Sequence, residues 1–336
     1  MLTKVEKKSL KFTKIDNLIF LLYFYNVSNN VLDFKSILES CGVGKEPNNT
    51  VLKNIANLEE FYDSAELISI YNYILSNINE PDILTQVVKY TDAYRNATTL
   101  SHLIELLKLR TEDEEDNLVN LRVICAKAIS NYKDTSTVTL LLDCMNNKNE
   151  HYRVRLACAD ALGRIGDKYA VISLIDIVED ENEKSVYLKE SAASALGMLG
   201  DIRAIDPLIN ILESKQGFLD KFSFLKEKIV EALGKLNLNN KKVIKALKNS
   251  LMDSSPLVRI NAIEAIMNSE DENSIELIKP CLNDEDNEVK RNALIALYNL
   301  IGRDILDEVI SLPSYTEFLK GEARQLIEDY EVDDEE

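Results

Sequence analysis

The chain has 336 residues, of which 46% are hydrophobic, and its 57 acidic and 39 basic side chains give a formal net charge of −18. Nucleic-acid binding depends on cations that neutralise phosphates, so this charge argues against a nucleic-acid partner and favours a protein partner with a basic surface. Ten glycines and six prolines are few for this length, which favours helices. Five cysteines without regular spacing do not indicate disulfides, and we expect a cytoplasmic protein.

Residues 1–60 are predicted to form an N-terminal helical cap. The apolar run Leu18–Val27 is shorter than the roughly 18 residues that a membrane span needs, and no cleavage site follows it, so we expect a buried helix. The segment CGVGKEP, residues 41–47, lacks the glycine spacing and the hydroxyl of a phosphate-binding loop and is predicted to be a turn. Cys41 lies in this turn, the one loop that could expose it.

Residues 61–116 contain three segments with helical apolar periodicity and are predicted to form degenerate helical repeats. His102 lies in the third segment, and we expect it on the polar side of that helix. The acidic run Glu112–Asp116 is predicted to be an exposed loop between helices.

A repeated segment organises residues 117–318. Alanine-rich stretches such as YRVRLACADALGRIGD, residues 152–167, recur on both sides of LKESAASALGMLGD, residues 188–201. Each has apolar or small residues at i, i+3, i+4 and i+7, which predicts one face of a helix, and a second amphipathic helix follows it. The anchoring apolar residues are Ile129, Leu162, Leu196, Leu233, Ile266 and Leu297. Their spacing predicts helix pairs that begin near residues 119, 152, 186, 225, 257 and 288.

Small and turn-forming residues recur at fixed places in these segments. The alanines let neighbouring helices pack closely. Asp134, Asp167 and Asp201 suit the N-caps of the second helices, where a carboxylate accepts hydrogen bonds from free backbone N–H groups. Gly166 and Gly200 are predicted to adopt the left-handed conformation at the end of the first helices.

The motifs VRLACADALGRIGD and LKESAASALGMLGDIRAIDPLINIL, within residues 154–212, resemble the HEAT-repeat superfamily and specifically its short phycobilisome-lyase (PBS lyase) subtype. The resemblance implies an all-α fold, a right-handed α-solenoid of stacked antiparallel helix pairs. Terminal units of such a stack must cover an exposed apolar end. Residues 319–336 are therefore predicted to be a C-terminal capping helix and an acidic tail.

A catalytic relative would place metal ligands in these repeats. Deoxyhypusine hydroxylase has similar repeats with His-Glu pairs that bind two irons, and the matching pair here is Lys189-Glu190. A lysine ammonium has no lone pair to donate, so the resemblance does not extend to that site. His102 and His151 are isolated, and Cys125 and Cys158 occupy a core position of successive repeats. We expect no metal, no cofactor and no catalytic activity.

The same architecture implies that the second helices line the concave side of the solenoid, where such proteins dock partners. Two rows of side chains recur at one phase of these helices: Asp143, Asp176, Asn210 and Asn249, and Ser136, Tyr169, Arg203, Lys242 and Asn273. These rows are candidate contacts for a basic or extended protein segment. The alternative is that they form the ordinary solvated side of amphipathic helices.

Three functions remain open at this level. The first is a non-enzymatic scaffold or adaptor that binds a protein in the groove. The second, implied by the resemblance, is a bilin lyase-like subunit or chaperone, which a bound pigment would reveal. The third is an acidic binding inhibitor, such as an immunity protein that covers a basic toxin. The fold alone does not choose among them.

Overall fold

The computed structural model describes residues 32–110, 115–213, 223–236, 240–269 and 273–333. Within these ranges the regular structure is helical and no strand occurs, as predicted. The segment Leu18–Val27 and most of the acidic run Glu112–Asp116 lie outside them. By its internal contacts the chain divides into two compact units, residues 1–132 and 133–336.

The first unit is built from the short helices α1 (Phe34–Ser40), α2 (Asn48–Ala56), α3 (Ser64–Asn77), α4 (Pro81–Thr91), α5 (Ala97–Lys108) and α6 (Asp116–Asn131). Helix α3 packs against α4 and α5, and α6 also packs against α4 and α5. An aspartate capping box starts α3, since the Asp63 carboxylate accepts from the Glu66 N–H and the Glu66 carboxylate accepts from the Asp63 N–H. Pro81 occupies the first turn of α4, where its missing N–H costs nothing.

The second unit contains the helix pairs that the repeat predicts. Its described helices are α7 (Val138–Asn146), α8 (Tyr152–Ile165), α9 (Val171–Glu179), α10 (Val186–Leu199), α11 (Ile205–Leu212), α12 (Ser223–Leu236), α13 (Lys241–Ser250), α14 (Pro256–Met267), α15 (Ser274–Ile278), α16 (Asn287–Ile301), α17 (Asp304–Ser311) and α18 (Glu317–Asp333). With α6, the first helices begin at residues 116, 152, 186, 223, 256 and 287, within three residues of the predicted positions. The all-α solenoid of repeated helix pairs is confirmed.

One second helix is interrupted. The α-helix α15 ends at Ile278, and a 3₁₀ helix follows over Lys279–Asn283. Pro280 explains the change, because it has no N–H to donate and its ring clashes with the preceding turn of an α-helix.

The turns between paired helices confirm the predicted caps. The carboxylates of Asp134, Asp167 and Asp201 each accept a hydrogen bond from the N–H two residues later, at 2.9–3.0 Å. Each bond starts a short 3₁₀ turn that runs directly into the second helix. Gly166 and Gly200 close the first helices with φ values of 87° and 62°, the left-handed region that favours glycine.

Two layers result from this arrangement in the second unit. The first helices α8, α10, α12, α14 and α16 pack side by side, and the second helices α7, α9, α11 and α13 do the same. Glycines allow neighbouring first helices to approach each other closely. A Cβ on Gly163 would lie 2.7 Å from Ala195 Cα, and one on Gly197 would lie 2.9 Å from Ala232 Cα. No real side chain tolerates such distances, so these helices approach backbone to backbone.

All five cysteines are buried. Cys41 has no solvent exposure, so the turn in which it lies does not expose its thiol. The turn folds back on α2, where the Asn54 amide donates to the Cys41 carbonyl at 3.1 Å. Burial raises the pKa of the Cys41 thiol to about 12 and that of Cys281 to about 11, so neither is a reactive thiolate at neutral pH.

Candidate protein-binding surface

The cation at Lys189 belongs to the scaffold and not to a metal site. Its ammonium is buried and donates to the Val178 carbonyl at the end of α9, at 3.1 Å. Burial lowers the pKa of this ammonium, and the neighbouring Asp180 and Glu183 oppose that effect. Arg155 does the same one repeat earlier, where its Nε donates to the Met145 carbonyl at 2.7 Å.

Every first helix carries such a cation seven residues before its anchor. The set is Arg122, Arg155, Lys189, Lys226, Arg259 and Lys290. All but Lys226 are buried. Two of them form buried ion pairs with the next inter-repeat loop, Arg155 with Glu183 at 2.8 Å and Arg259 with Asp284 at 2.7 Å. Arg122, Arg155 and Lys189 each donate to a carbonyl at the end of the preceding helix, where a positive charge also complements the helix dipole. These three cations therefore fasten the preceding helix to the first helix after it.

The first predicted row lies on the surface as a row. Asp143, Asp176, Asn210 and Asn249 are all exposed, one each on α7, α9, α11 and α13. These four helices pack consecutively, so the side chains follow one another along the second layer. We call the exposed side of these four helices the second-helix surface.

Two cationic members of the second predicted row bind other residues of the same chain. The Arg203 guanidinium makes two hydrogen bonds to the Asp201 carboxylate, at 2.9 and 3.0 Å, and a third to the Lys168 carbonyl at 3.1 Å. The hydrogen bonds from Arg203 lower the pKa of Asp201 to about 2. Lys242 contacts Asp206 of the preceding second helix at 2.7 Å. Both cations therefore tie neighbouring repeats together. Ser136, Tyr169 and Asn273 are exposed in the described turns, and the Ser136 hydroxyl is hydrogen-bonded to the Asp134 carboxylate.

The helix α9 presents a mixed stripe. Tyr169 in the preceding turn is 72% exposed and Ile172, three residues later, is 52% exposed, so two large side chains offer apolar area next to each other. Asp176 and Glu179 continue the same stripe at helical spacing and are also exposed. Neither carboxylate has an ion-pair partner among the described residues. The stripe therefore combines uncovered apolar area with free negative charge.

The helix α13 presents the opposite charge, which the sequence reasoning overlooked. Lys241, Lys242, Lys245 and Lys248 are all exposed on it. Only Lys242 has an ion pair within the described ranges. Their spacing of three and four residues was the available signal, because it places lysines together on one side of a helix. A net charge of −18 describes the whole chain and does not exclude such a local reversal of charge.

The histidines show no catalytic arrangement. His151 caps α8, where its Nδ1 accepts from the Arg153 N–H at 3.2 Å, and His102 is half-buried on α5. No group of three or more His, Cys, Asp or Glu side chains suited to a metal ion occurs in the described part of the chain. The absence of iron and zinc stays a prediction. No helix within the described ranges is both long and apolar enough to cross a membrane.

Comparisons with protein-family models decide the family. A model of HEAT repeats matches residues 104–188 and 220–298, and a model of the PBS lyase HEAT-like repeat matches residues 188–214. Together they cover more than half of the chain. The protein belongs to the HEAT-repeat superfamily. The PBS lyase type matches over α10 and α11, the stretch whose motif carries the resemblance in the sequence.

Solved structures that are similar to this chain include three from different sources. The CpcE–CpcF complex of phycocyanin lyase from Nostoc sp. PCC7120 has 20% identity and a TM-score of 0.44, covering 77% of this chain and 94% of that one. Human deoxyhypusine hydroxylase has 14% identity and a TM-score of 0.33, covering 83% and 97%. The Escherichia coli protein YibA has 14% identity and a TM-score of 0.48, covering 95% and 98%. No functionally characterised protein matches the sequence significantly.

Proposed function

We propose that this HEAT-repeat protein is a non-enzymatic scaffold or adaptor that binds a protein partner on its second-helix surface. The α9 stripe carries the proposal. Tyr169 and Ile172 offer apolar area that is not covered, and Asp176 and Glu179 offer charge that is not neutralised. Aromatic and apolar anchors beside charged groups are the usual composition of an interface hot spot.

The charges of the stripe indicate the kind of partner. Two unpaired carboxylates attract lysine or arginine side chains, and the net charge of −18 adds a long-range attraction for a basic surface. Electrostatic complementarity acts mainly on the association rate and on specificity, and salt screens it. Binding is therefore expected to weaken as the ionic strength rises.

A photo-cross-linking experiment tests the location. A photoreactive residue replaces Ile172 on α9, and in a matched protein it replaces Met198 on α10, which is 42% exposed in the other helix layer. Expressed in its source organism, the Ile172 protein is expected to give a discrete protein adduct that the Met198 protein does not give. Adducts of equal yield from both positions, or from Met198 alone, would contradict the proposal.

The identified partner then allows a quantitative test. The double substitution Asp176→Ala with Glu179→Ala is expected to weaken binding by about 1–3 kcal/mol if these residues belong to a hot spot. The control Glu46→Ala with Glu264→Ala removes the same charge from exposed positions elsewhere and should leave affinity unchanged. Equal losses in both proteins would assign the effect to net charge alone.

The proposed absence of catalysis has its own measurement. Protein purified without chelators is expected to contain well under one equivalent of iron or zinc, because the His-Glu pairs of the di-iron relatives are missing and Lys189 is engaged with α9. A tightly held equivalent of either metal would contradict a purely binding role. Visible absorbance of a pigment after co-expression with a bilin would favour the lyase-like alternative instead.

A further inference from the structure

We infer that the partner segment is charged in two blocks, with a basic part that lies on α9 and a carboxylate-rich part that lies on α13. The inference rests on the proposed function, since it assumes that the second-helix surface is the binding site. It adds the chemistry of the segment and its placement along the repeats.

The reversal of charge along this surface is local and abrupt. Helix α9 exposes Asp176 and Glu179, whereas α13 exposes Lys241, Lys245 and Lys248. None of these five side chains has an ion-pair partner within the described ranges. Between them, Lys242 reaches back to Asp206 on α11 at 2.7 Å, so the boundary between the two signs is itself neutralised.

A partner segment that carries charge of only one sign complements only half of this surface. A uniformly basic segment placed along α9 and α11 would meet three unpaired ammonium groups on α13, and like charges in contact are unfavourable. A segment whose charge changes sign at the same place satisfies both ends. Repulsion of the wrong charge at α13 therefore adds specificity to the attraction at α9.

The spacing of the helices gives the spacing of the two blocks. Packed helices lie about 8–10 Å apart, so α9 and α13 are about 16–20 Å apart with α11 between them. An extended chain advances about 3.3 Å per residue. The basic and acidic blocks are therefore separated by roughly five or six residues.

Labelled synthetic peptides test this pattern on the full chain. One peptide carries a lysine block and a glutamate block separated by about six neutral residues, and the other has the same composition with lysines and glutamates alternating. At low salt, fluorescence anisotropy is expected to show binding of the block peptide on the order of ten-fold tighter than the alternating one. Equal affinity for the two peptides would overturn the inference.

Charge-reversal variants separate this inference from the proposed function. Lys245→Glu with Lys248→Glu is expected to abolish the preference for the block peptide. The control Lys89→Glu with Lys127→Glu makes the same change in net charge on exposed lysines of the first unit. This control protein should still prefer the block peptide. If Asp176→Lys with Glu179→Lys abolishes the preference and the α13 variant does not, the inference fails while the proposed surface stands.

Two further outcomes complete the test. If neither the α9 variant nor the α13 variant changes peptide binding, both the surface and the charge pattern are wrong. If a single-stranded oligonucleotide displaces the block peptide more strongly than a glutamate peptide does, the lysines of α13 form a phosphate-binding surface and the inference of an acidic protein segment is overturned.

Discussion

The first helices of the second unit pack in two different ways. In α8, α10 and α12 the residue after the anchor is glycine, and it faces an alanine of the next first helix: Gly163 faces Ala195, Gly197 faces Ala232 and Gly234 faces Ala265. In α14 the same position is Met267, and the alanine of the next helix is Ala296. Grooves lie at both kinds of contact, one of about 270 Å³ lined by Gly234 and Ala265 and one of about 190 Å³ lined by Met267 and Ala296.

The difference shows what the glycine does in this repeat. A Cβ at the three glycine positions would lie 2.7–2.9 Å from the neighbouring helix, so the close approach requires that no side chain be present. Where methionine replaces glycine, a flexible side chain lies between the two helices. The central helices are therefore intolerant of added atoms, whereas the C-terminal contact is adaptable.

The largest effect is expected at a feature that both regions share, the buried ion pair. Replacing Arg155 by Met leaves Glu183 buried without a counter-charge and the Met145 carbonyl without its donor. This should lower the free energy of unfolding by about 3–5 kcal/mol. Arg259→Met leaves Asp284 without its counter-charge and should lower the free energy of unfolding by a similar amount. Urea unfolding monitored by circular dichroism measures both.

The control for this prediction is an ion pair at the surface. Lys148 contacts Asp180 at 2.9 Å, but its side chain is 67% exposed, so Lys148→Met should cost less than about 1 kcal/mol. Combining Arg155→Met with Glu183→Met should recover much of the stability lost in the single variant, because no buried charge is then unpaired. Losses of equal size at Lys148 and Arg155 would contradict the assigned role of burial.

The second prediction tests the comparison directly. Gly197→Ala should destabilise the protein by about 1–3 kcal/mol even though alanine is the better helix former, because the added Cβ meets Ala232 Cα at 2.9 Å. Met267→Ala should cost no more than about 1 kcal/mol, since that side chain is only half-buried. Thermal midpoints of the two variants give the ranking, and the reverse order would break the comparison.

The repeat was predictable because apolar residues recur at a nearly regular spacing along the chain. Anchors such as Leu162 and Leu196 fix the buried side of each first helix, and from them the helix starts follow to within three residues. The caps at Asp167 and Asp201 were predictable for a similar reason, since they act on the backbone two residues away. Both kinds of signal are local in sequence.

The buried cations and the lysines of α13 were missed because their meaning depends on other helices. Periodicity places Arg155 and Lys189 on the same side of their helices as the anchors Leu162 and Leu196, a side where a charged residue is unexpected. Only the preceding second helix supplies the carbonyls that allow these cations to be buried. The residues of the candidate rows are exposed, but the ion pairs of Arg203 and Lys242 could not be read from spacing. Tertiary partners decide which polar residues remain available.

A third prediction concerns the caps, where the central repeats also differ from the next one. The Asp201 carboxylate starts the turn before α11, whereas the amide of Asn240 accepts from the Lys242 N–H before α13 at 2.9 Å. Removing either cap by substitution to Ala should cost about 1 kcal/mol at neutral pH. Only the Asp201 variant should also change the pH dependence of unfolding.

The sign of that pH dependence follows from the lowered pKa. Hydrogen bonds from Arg203 hold the pKa of Asp201 at about 2 in the folded protein, below its unfolded value of about 3.9. The ionised carboxylate therefore favours folding, fully above about pH 4, and this contribution is lost as the pH falls towards about 2. The difference in stability between the parent and Asp201→Ala should shrink across that window, while the difference for Asn240→Ala should stay constant.

The smallest effect is expected at a glycine where an added Cβ would contact no other atom. Gly321 lies on the exposed side of α18, its φ is not in the left-handed region, and a Cβ there would meet no atom within 4 Å. Gly321→Ala should therefore stabilise the protein by up to about 1 kcal/mol, through better helix propensity and a less flexible unfolded chain. The same substitution thus has opposite signs at Gly197 and at Gly321, and a small shift in the thermal midpoint measures it. Destabilisation at Gly321 would mean that α18 packs more closely than its exposure indicates, and the cost at Gly197 could then no longer be assigned to contact with Ala232.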